Sequence, residues 1–158
     1  MDIIGANTFV EIEGISNIPA KIDTGAKSSS LHTDYVSILE DGTLSFGFFG
    51  NDIRTKDYKV VLIRSSNGEE QLRYRTSVTI KIAGRKIRTM VTLADRSKND
   101  FPVLIGSRAI KNKFLVDVSK ADIVYEKKPK LTYLNEELRN NPFKFHQKYI
   151  KSNQERKK

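Results

Sequence analysis

The segment Leu72–Ile82 reads Leu-Arg-Tyr-Arg-Thr-Ser-Val-Thr-Ile-Lys-Ile, and it decides the fold class. Its even-numbered positions hold apolar or aromatic residues and one threonine, whereas its odd-numbered positions hold only basic and hydroxyl residues. This alternation with a period of two predicts a β-strand with one buried face. Ala83-Gly84-Arg85 supplies a turn, and Lys86–Leu93 resumes the alternation. The two segments are therefore predicted to form a hairpin.

Further short strands are predicted outward from this hairpin in both directions. Clusters of Gly, Asn, Asp and Ser separate them, as expected of tight turns. The predicted strands are Thr8–Glu13, Ala20–Ile22, Leu31–Ile38, Thr43–Phe49, Asp57–Arg64, Val103–Ile105 and Phe114–Asp117, with one short helical turn at Ser107–Lys111. Many short strands with close turns predict an all-β barrel or sandwich.

Charge divides the chain into two parts. The 158 residues include 28 basic and 19 acidic ones, a net charge of +9. Residues 126–158 contain 10 basic and 4 acidic residues, whereas residues 1–125 contain 18 and 15. We therefore expect one domain at 1–125 and a basic, partly helical tail at 126–158, in which Pro142 starts a short helix. The tail could bind nucleic acid or another polyanion, or it could only keep the protein soluble.

Composition also excludes several classes of protein. Cysteine is absent, which excludes disulfides, thiolate catalysis and cysteine metal sites. There is no run of 18 apolar residues, and the N-terminus lacks the pattern of a signal peptide. We therefore expect a cytoplasmic protein with no membrane partner.

The segment Lys21–His32 suggests chemistry, because an apolar strand runs into Asp23-Thr24-Gly25. A carboxylate that activates water must sit on a fixed, tight loop, and glycine permits close backbone approach. Two such carboxylates placed together share one proton and supply an acid and a base for attack of water on an amide. An isolated Asp-Thr-Gly is also compatible with an ordinary turn.

A second segment, Phe101–Arg108, places Leu104 and Ile105 before Gly106 and ahead of the short helical turn. Alone it would be a core strand that ends in a turn. Together with Asp-Thr-Gly and a β-rich middle, it makes the chain resemble the bacterial and archaeal retropepsin-like proteins often labelled "ATP-dependent zinc protease". RimB, encoded beside a glutamate ligase that modifies a ribosomal protein, belongs to that family. The resemblance covers residues 3–120. One departure is Ser107, which separates Gly106 from Arg108 where the family has Gly-Arg directly.

The resemblance implies a pepsin-type closed β-barrel protomer and a homodimeric aspartic endopeptidase with water as the nucleophile. Asp23 would be the general acid and base, Thr24 would lock the loop across the dimer axis, and Gly25 would shape it. The hairpin at Ser65–Glu69 falls where a flap of the family would lie, and it either covers a peptide or protein substrate, acidic or ribosome-associated, or is an inert surface hairpin. The residues expected at the substrate are Ala26, Ser66, Asn67, Gly68, Leu104, Ile105 and Gly106.

Neither zinc nor ATP is expected, despite the family label. The chain has two histidines, His32 and His146, without partners at metal-ligand spacing, and it has no phosphate-binding loop. We therefore expect no metal and no cofactor, and a hydrogen-bonded role for His32. Two alternatives stay open: a metal hydrolase, and a catalytically silent module that binds an acidic or ribosome-associated partner.

The remaining charged residues near the motifs have two interpretations. Arg73, Arg75, Arg96 and Arg108 are expected to be solvated or paired, or else to line a cleft for an acidic substrate. Asp95 lacks the Thr-Gly context of a catalytic aspartate, so a structural ion pair is expected there.

Overall fold

The computed structural model describes residues 1–64, 67–124 and 130–151. Within them the chain divides into two compact units, residues 1–123 and 124–158. The first unit contains β1 (Asp2–Ile4), β2 (Asn7–Ile12), β3 (Ile15–Ile22), β4 (Ser29–His32), β5 (Val36–Ile38), β6 (Leu44–Phe48), β7 (Asn51–Thr55), β8 (Tyr58–Arg64), β9 (Glu70–Ile82), β10 (Arg85–Ala94), β11 (Val103–Ile105), α1 (Ser107–Ile110) and β12 (Phe114–Val116).

Six strands close into a barrel, which confirms the all-β fold class. Their order is β10-β4-β11-β3-β2-β9, and β9 pairs back onto β10. The predicted hairpin is present as β9 and β10, with Arg85 opposite Ile82 and Thr92 opposite Arg75. Ala83 and Gly84 both have positive φ, as a two-residue turn that follows the strand twist requires.

The alternation along β9 marks the core only over part of its length. Val78, Ile80 and Ile82 are buried in the barrel, whereas Leu72 is 67% exposed. The difference arises because the first half of β9 leaves the barrel and pairs with β8 as a projecting hairpin, with Leu62 opposite Leu72. An alternation with a period of two therefore predicts on which face of the strand a side chain lies. It does not predict where along the strand the buried core ends.

A three-stranded sheet of order β5-β6-β7 corrects two predictions. The predicted strand Leu31–Ile38 is two strands, because β4 pairs within the barrel while β5 pairs only with β6. No strand was predicted between Thr43–Phe49 and Asp57–Arg64, but β7 lies there and begins at Asn51. The turn that precedes β7 is at Phe49 and Gly50, which have positive φ.

The two ends of the first unit lie side by side. β1, which the sequence did not predict, pairs in parallel with β12, so that Ile3 lies opposite Leu115. The side chain of Asn7 makes two further hydrogen bonds between the two ends of the unit. Its amide donates to the carbonyl of Ile123 at 3.0 Å, and its oxygen accepts from the Ile123 amide at 2.8 Å. The open face of this small sheet is apolar, with Ile3 and Leu115 about half exposed.

The second unit is helical where it is described: α2 (Lys130–Asn140), α3 (Pro142–Phe145) and a π-helical segment His146–Lys151. Pro142 stands at the start of α3 as predicted, and Asn141 caps it by accepting from the Lys144 amide at 3.1 Å. Glu137 accepts from Lys148 and from the Tyr149 hydroxyl. In the part of the chain that the structure describes, no helix is long and apolar enough to cross a membrane.

Candidate active site

The Asp-Thr-Gly loop follows β3 and is fixed by backbone hydrogen bonds. The Asp23 amide donates to the carbonyl of Ile105 at 2.8 Å, so β11 holds the residue from the side of the core. The Asp23 Oδ1 accepts from the Gly25 amide at 3.1 Å, which sets the carboxylate within its own turn. Asp23 is partly exposed while Ile22 before it is buried. The loop therefore presents one carboxylate to solvent from a rigid base.

The second predicted motif packs directly against this loop. The Gly106 amide donates to Ser29 Oγ at 3.0 Å, and the Ser107 amide donates to the Ala26 carbonyl at 2.7 Å. A Cβ on Gly106 would lie 2.6 Å from the backbone of Ser28, a distance that real Cβ atoms do not show. Glycine is required here because the backbone of the loop that follows Asp23 occupies the space of a side chain.

The extra residue Ser107 is accommodated at the start of α1. Its amide bonds to Ala26, and the following amide of Arg108 donates to the Lys27 carbonyl at 3.1 Å. Both contacts tie α1 to the catalytic loop through the backbone, while the side chain of Arg108 is exposed. The departure from the family pattern therefore leaves the support beneath Asp23 intact.

Thr24 and Gly25 are both exposed. Among the described residues the Thr24 hydroxyl makes no hydrogen bond. A Cβ on Gly25 would meet only Asp23 Oδ1, at an ordinary contact distance of 3.4 Å. No contact among the described residues therefore requires glycine at this position.

The predicted substrate contacts separate into three groups. Ile105 has no exposed surface and Gly106 is buried, so both support the loop, and direct contact between the Ile105 side chain and a substrate does not fit. Ala26 and Leu104 are partly exposed beside it. Asn67 and Gly68 are exposed at the end of the β8–β9 hairpin, and Ser66 lies outside the described residues.

A cleft among the described residues has a volume of about 650 Å³. Its walls come from the end of β4, the start of β5, the projecting part of β9 and the end of β10, and they include Tyr35, Leu72, Arg73 and Asp95. Asp23 is not one of its lining residues. The cleft lies under the root of the projecting hairpin, between the first half of β9 and the ends of β4 and β10.

A carboxylate fixes one wall of this cleft. Asp52 on β7 accepts hydrogen bonds from Ser45 at 2.6 Å, from the Tyr35 hydroxyl and from Arg54 at 2.7 Å. These bonds, that of Ser45 first, lower the pKa of Asp52 to about 2. The ring of Tyr35 lies against Gly47, where a Cβ would come within 2.5 Å of it. Tyr35 is thereby held at the mouth of the cleft.

Arg96, which the sequence left between a solvated and a substrate-binding role, interacts electrostatically with Asp23. Burial and then the charge of Arg73 lower the pKa of Arg96, and the negative charge of Asp23 opposes this shift. The Arg96 Nε donates to the Phe101 carbonyl at 3.1 Å. In the described part of the chain its terminal nitrogens bond to no other group. Arg96 is therefore a half-buried cation whose charge interacts with that of Asp23.

His32 is hydrogen-bonded, as expected. Its Nδ1 accepts from the Arg96 amide at 2.9 Å, and its Nε2 lies 3.3 Å from Asp34 Oδ1. Asp95 is 79% exposed and 3.8 Å from the same Nδ1, and hydrogen bonds from Ser97 hold the pKa of Asp95 below its usual value. No group of three potential metal ligands occurs among the described residues.

The closed six-stranded barrel, the Asp-Thr-Gly loop and Gly106 beneath that loop together define a protein with the retropepsin-like fold. The family model described as "Retropepsin-like aspartic endopeptidase RimB" matches residues 3–127, and the chain belongs to this RimB-like family.

Relatives and solved structures add to this assignment. A probable alpha-L-glutamate ligase of Shewanella pealeana is 30% identical over 126 residues, which cover 72% of this chain and 27% of that protein. A protein of the same description from Shewanella halifaxensis is 30% identical over 120 residues, covering 68% of this chain and 26% of that protein. The chain thus spans about a quarter of the length of these curated relatives. The crystal structure of the Legionella pneumophila protein Lpg0085, of unknown function, superposes with a TM-score of 0.62 at 25% identity, covering 76% of this chain and 95% of that one.

Proposed function

We propose that the chain is one half of a homodimeric aspartic endopeptidase that uses Asp23 from each protomer. The observation that carries the proposal is the partly exposed Asp23 carboxylate on a loop held by Ile105 and Gly106. Family membership supports peptide hydrolysis as the reaction. The sequence contains Asp-Thr-Gly once, so the second carboxylate has to come from another copy.

In the proposed reaction, one Asp23 is ionised and its counterpart carries the shared proton. The ionised carboxylate takes a proton from water while the water oxygen bonds to the amide carbon. The protonated carboxyl gives its proton to the carbonyl oxygen, which forms a tetrahedral diol. When the diol collapses, the C–N bond breaks and the amine nitrogen receives a proton. No metal or cofactor takes part in these steps.

Two features of the protomer support a twofold dimer. A twofold axis brings the same surface of each copy together, so an exposed loop can meet itself. Thr24 has its hydroxyl free for such a contact among the described residues. The apolar face of β1 and β12 is next to the loop, since the Ala6 carbonyl that follows β1 accepts from the Ile22 amide at 2.9 Å. Burying Ile3 and Leu115 against a second copy would stabilise the pair.

We propose an acidic peptide as the substrate. Arg73 lines the cleft, and the charge of Arg96 interacts with that of Asp23. The two guanidinium groups favour carboxylate side chains on a substrate. The relatives named alpha-L-glutamate ligase contain a segment similar to this chain within a protein whose name concerns glutamate.

The same relatives favour a second candidate, a module that binds a glutamate-bearing protein without cleaving it. In them the matched segment is about a quarter of a protein named for ligation rather than hydrolysis. The cleft that Arg73 lines and the loop that carries Asp23 would serve either a peptidase or a binding module.

The deciding experiment compares Asp23→Asn with the wild-type protein on glutamate-rich and on neutral peptides. Loss of cleavage with unchanged thermal unfolding supports the peptidase. Asp41→Asn, in the turn between β5 and β6, is the matched control and should cleave normally. Excess Asp23→Asn protein added to wild type should suppress activity through mixed dimers, and dilution should lower specific activity. A wild-type protein that binds acidic peptides without cleaving them would establish the binding module instead.

A further inference from the structure

The loop between β10 and β11 carries Arg96, whose charge interacts with that of Asp23, and the conformation of the loop depends on few contacts. Within the loop, the Arg96 carbonyl accepts from the Asn99 amide at 2.9 Å, and Arg96 Nε donates to Phe101. The loop is otherwise exposed from Ser97 to Asp100. What fixes Arg96 therefore lies largely outside the loop.

His32, at the end of β4, makes the hydrogen bond that fixes the backbone of Arg96 from outside the loop. The His32 amide donates to the Pro102 carbonyl at 2.7 Å, which places the residue against the far end of the loop. Its ring is 22% exposed, and Nδ1 accepts from the Arg96 amide at 2.9 Å. Because an amide can only donate, Nδ1 must carry a lone pair there. The proton is therefore on Nε2, facing Asp34 Oδ1 at 3.3 Å.

The neutral ring and the protonated ring cannot make the same contacts. A proton on Nδ1 would confront the Arg96 amide hydrogen and abolish that hydrogen bond. It would instead be attracted to Asp95, whose Oδ1 lies 3.8 Å away. The charged groups that face the ring are Asp34, Asp95 and Arg96 itself, and Arg73 lines the same cleft from β9. Protonation therefore exchanges a contact with Arg96 for one with Asp95.

We infer that His32, in its neutral form, is a positioning residue that holds the backbone of Arg96 in place, and that its protonation releases Arg96. The relevance of this contact to peptide cleavage rests on the proposed function, but the contact itself does not. Histidine is the side chain that most often serves proteins as a charge switch, so a pH titration is the direct test of this inference.

Nuclear magnetic resonance of the full-length labelled protein tests the contact without reference to activity. At pH 7.5 the imidazole nitrogens of His32 should show protonated Nε2 and unprotonated Nδ1. As the pH is lowered to 5, the Arg96 amide proton should move upfield and exchange faster with solvent, in step with protonation of His32. A protonated Nδ1 at pH 7.5, or an Arg96 amide indifferent to the state of His32, would overturn the inference.

Matched variants separate titration from simple packing. His32→Asn keeps an oxygen acceptor near the position of Nδ1 but cannot titrate, so the Arg96 amide should keep its shift from pH 7.5 to 5. His32→Ala should show the released shift at every pH. If His32→Ala fails to fold, the comparison of His32→Asn with wild type still decides, because an unaltered pH response in His32→Asn would refute the role of the ring.

Measurements of peptidase activity test separately whether the contact between His32 and Arg96 serves catalysis. At pH 7.5, kcat/KM of His32→Ala on an acidic peptide should fall roughly three- to tenfold, the value of one hydrogen bond, while His32→Asn stays close to wild type. Equal losses in both variants would show that the contact does not serve catalysis. A wild type without any peptidase activity would refute the proposed function, and the resonance titration would still decide whether His32 holds Arg96.

Discussion

Gly106→Ala should destabilise the protein through one contact beneath the catalytic loop. The added Cβ would lie 2.6 Å from both the carbonyl carbon and oxygen of Ser28 and 2.8 Å from the carbonyl carbon of Lys27. All three atoms belong to backbone that is itself held, because the Ala26 and Lys27 carbonyls accept from α1. The clash cannot be relieved by rotating a side chain, so the loop or β11 must move.

Overpacking of this kind costs about 1–3 kcal/mol of unfolding free energy. For a domain of this size, that corresponds to a melting temperature lower by roughly 3 to 10 °C. Urea unfolding followed by circular dichroism measures the free energy. Because the catalytic loop is the group displaced, any peptidase activity should fall by more than the small unfolded fraction explains.

Gly25→Ala is the matched control for stability. Its Cβ would meet only Asp23 Oδ1 at 3.4 Å, and both substitutions remove the same glycine freedom from the unfolded chain. The difference between the two variants therefore reports the contact at Gly106, and we expect Gly25→Ala to unfold within about 0.5 kcal/mol of wild type. Equal stability of the two variants would refute the reasoning.

Three further outcomes are expected. Dialysis against a chelator should leave peptidase activity unchanged, and elemental analysis should find less than one zinc per chain; activity lost on chelation and restored by zinc would contradict this. Deletion of residues 131–158 should leave the barrel folded and weaken retention on heparin, by less at high salt, where charge is screened; an unfolded barrel would show that the tail is part of it. The folded-state pKa of Asp52 is about 2, below the unfolded value of about 3.9. The stabilisation from Asp52 is thus present above pH 4 and lost as the pH falls towards 2. In urea unfolding, Asp52→Asn should lose less unfolding free energy than wild type over that pH range. The same acid dependence in both proteins would count against the hydrogen bonds described for Asp52.

The sequence was sufficient wherever short-range patterns determine structure. Alternation predicted β9 and β10, and the proline at position 142 predicted the start of α3. The split between β4 and β5 was missed because apolar residues continue across it while their pairing partners change from β10 to β6. Such a change of pairing partner depends on the three-dimensional sheet and gives no signal in the local sequence.

The same limit applies to the candidate site. Asp23 and its supporting Gly106 could be predicted from motifs and from the family resemblance. The hydrogen bond between His32 and Arg96 joins residues 64 positions apart, and it depends on the parallel pairing of β4 with β10. Each residue alone is compatible with many environments, so only the fold shows that the two meet.

The parallel pairing of β1 with β12 also has consequences for how the chain folds. Asp2 lies opposite Phe114, and Asn7 bonds to Ile123, so these contacts join segments more than 100 residues apart. Closing so long a loop is entropically costly and slows folding. Among the described strands β1 and β12 pair only with each other, so we expect this small sheet to form late in folding. Ile4, which is buried in the folded protein, is then expected to stay uncovered until β1 and β12 meet, which leaves the first strand open to misassociation.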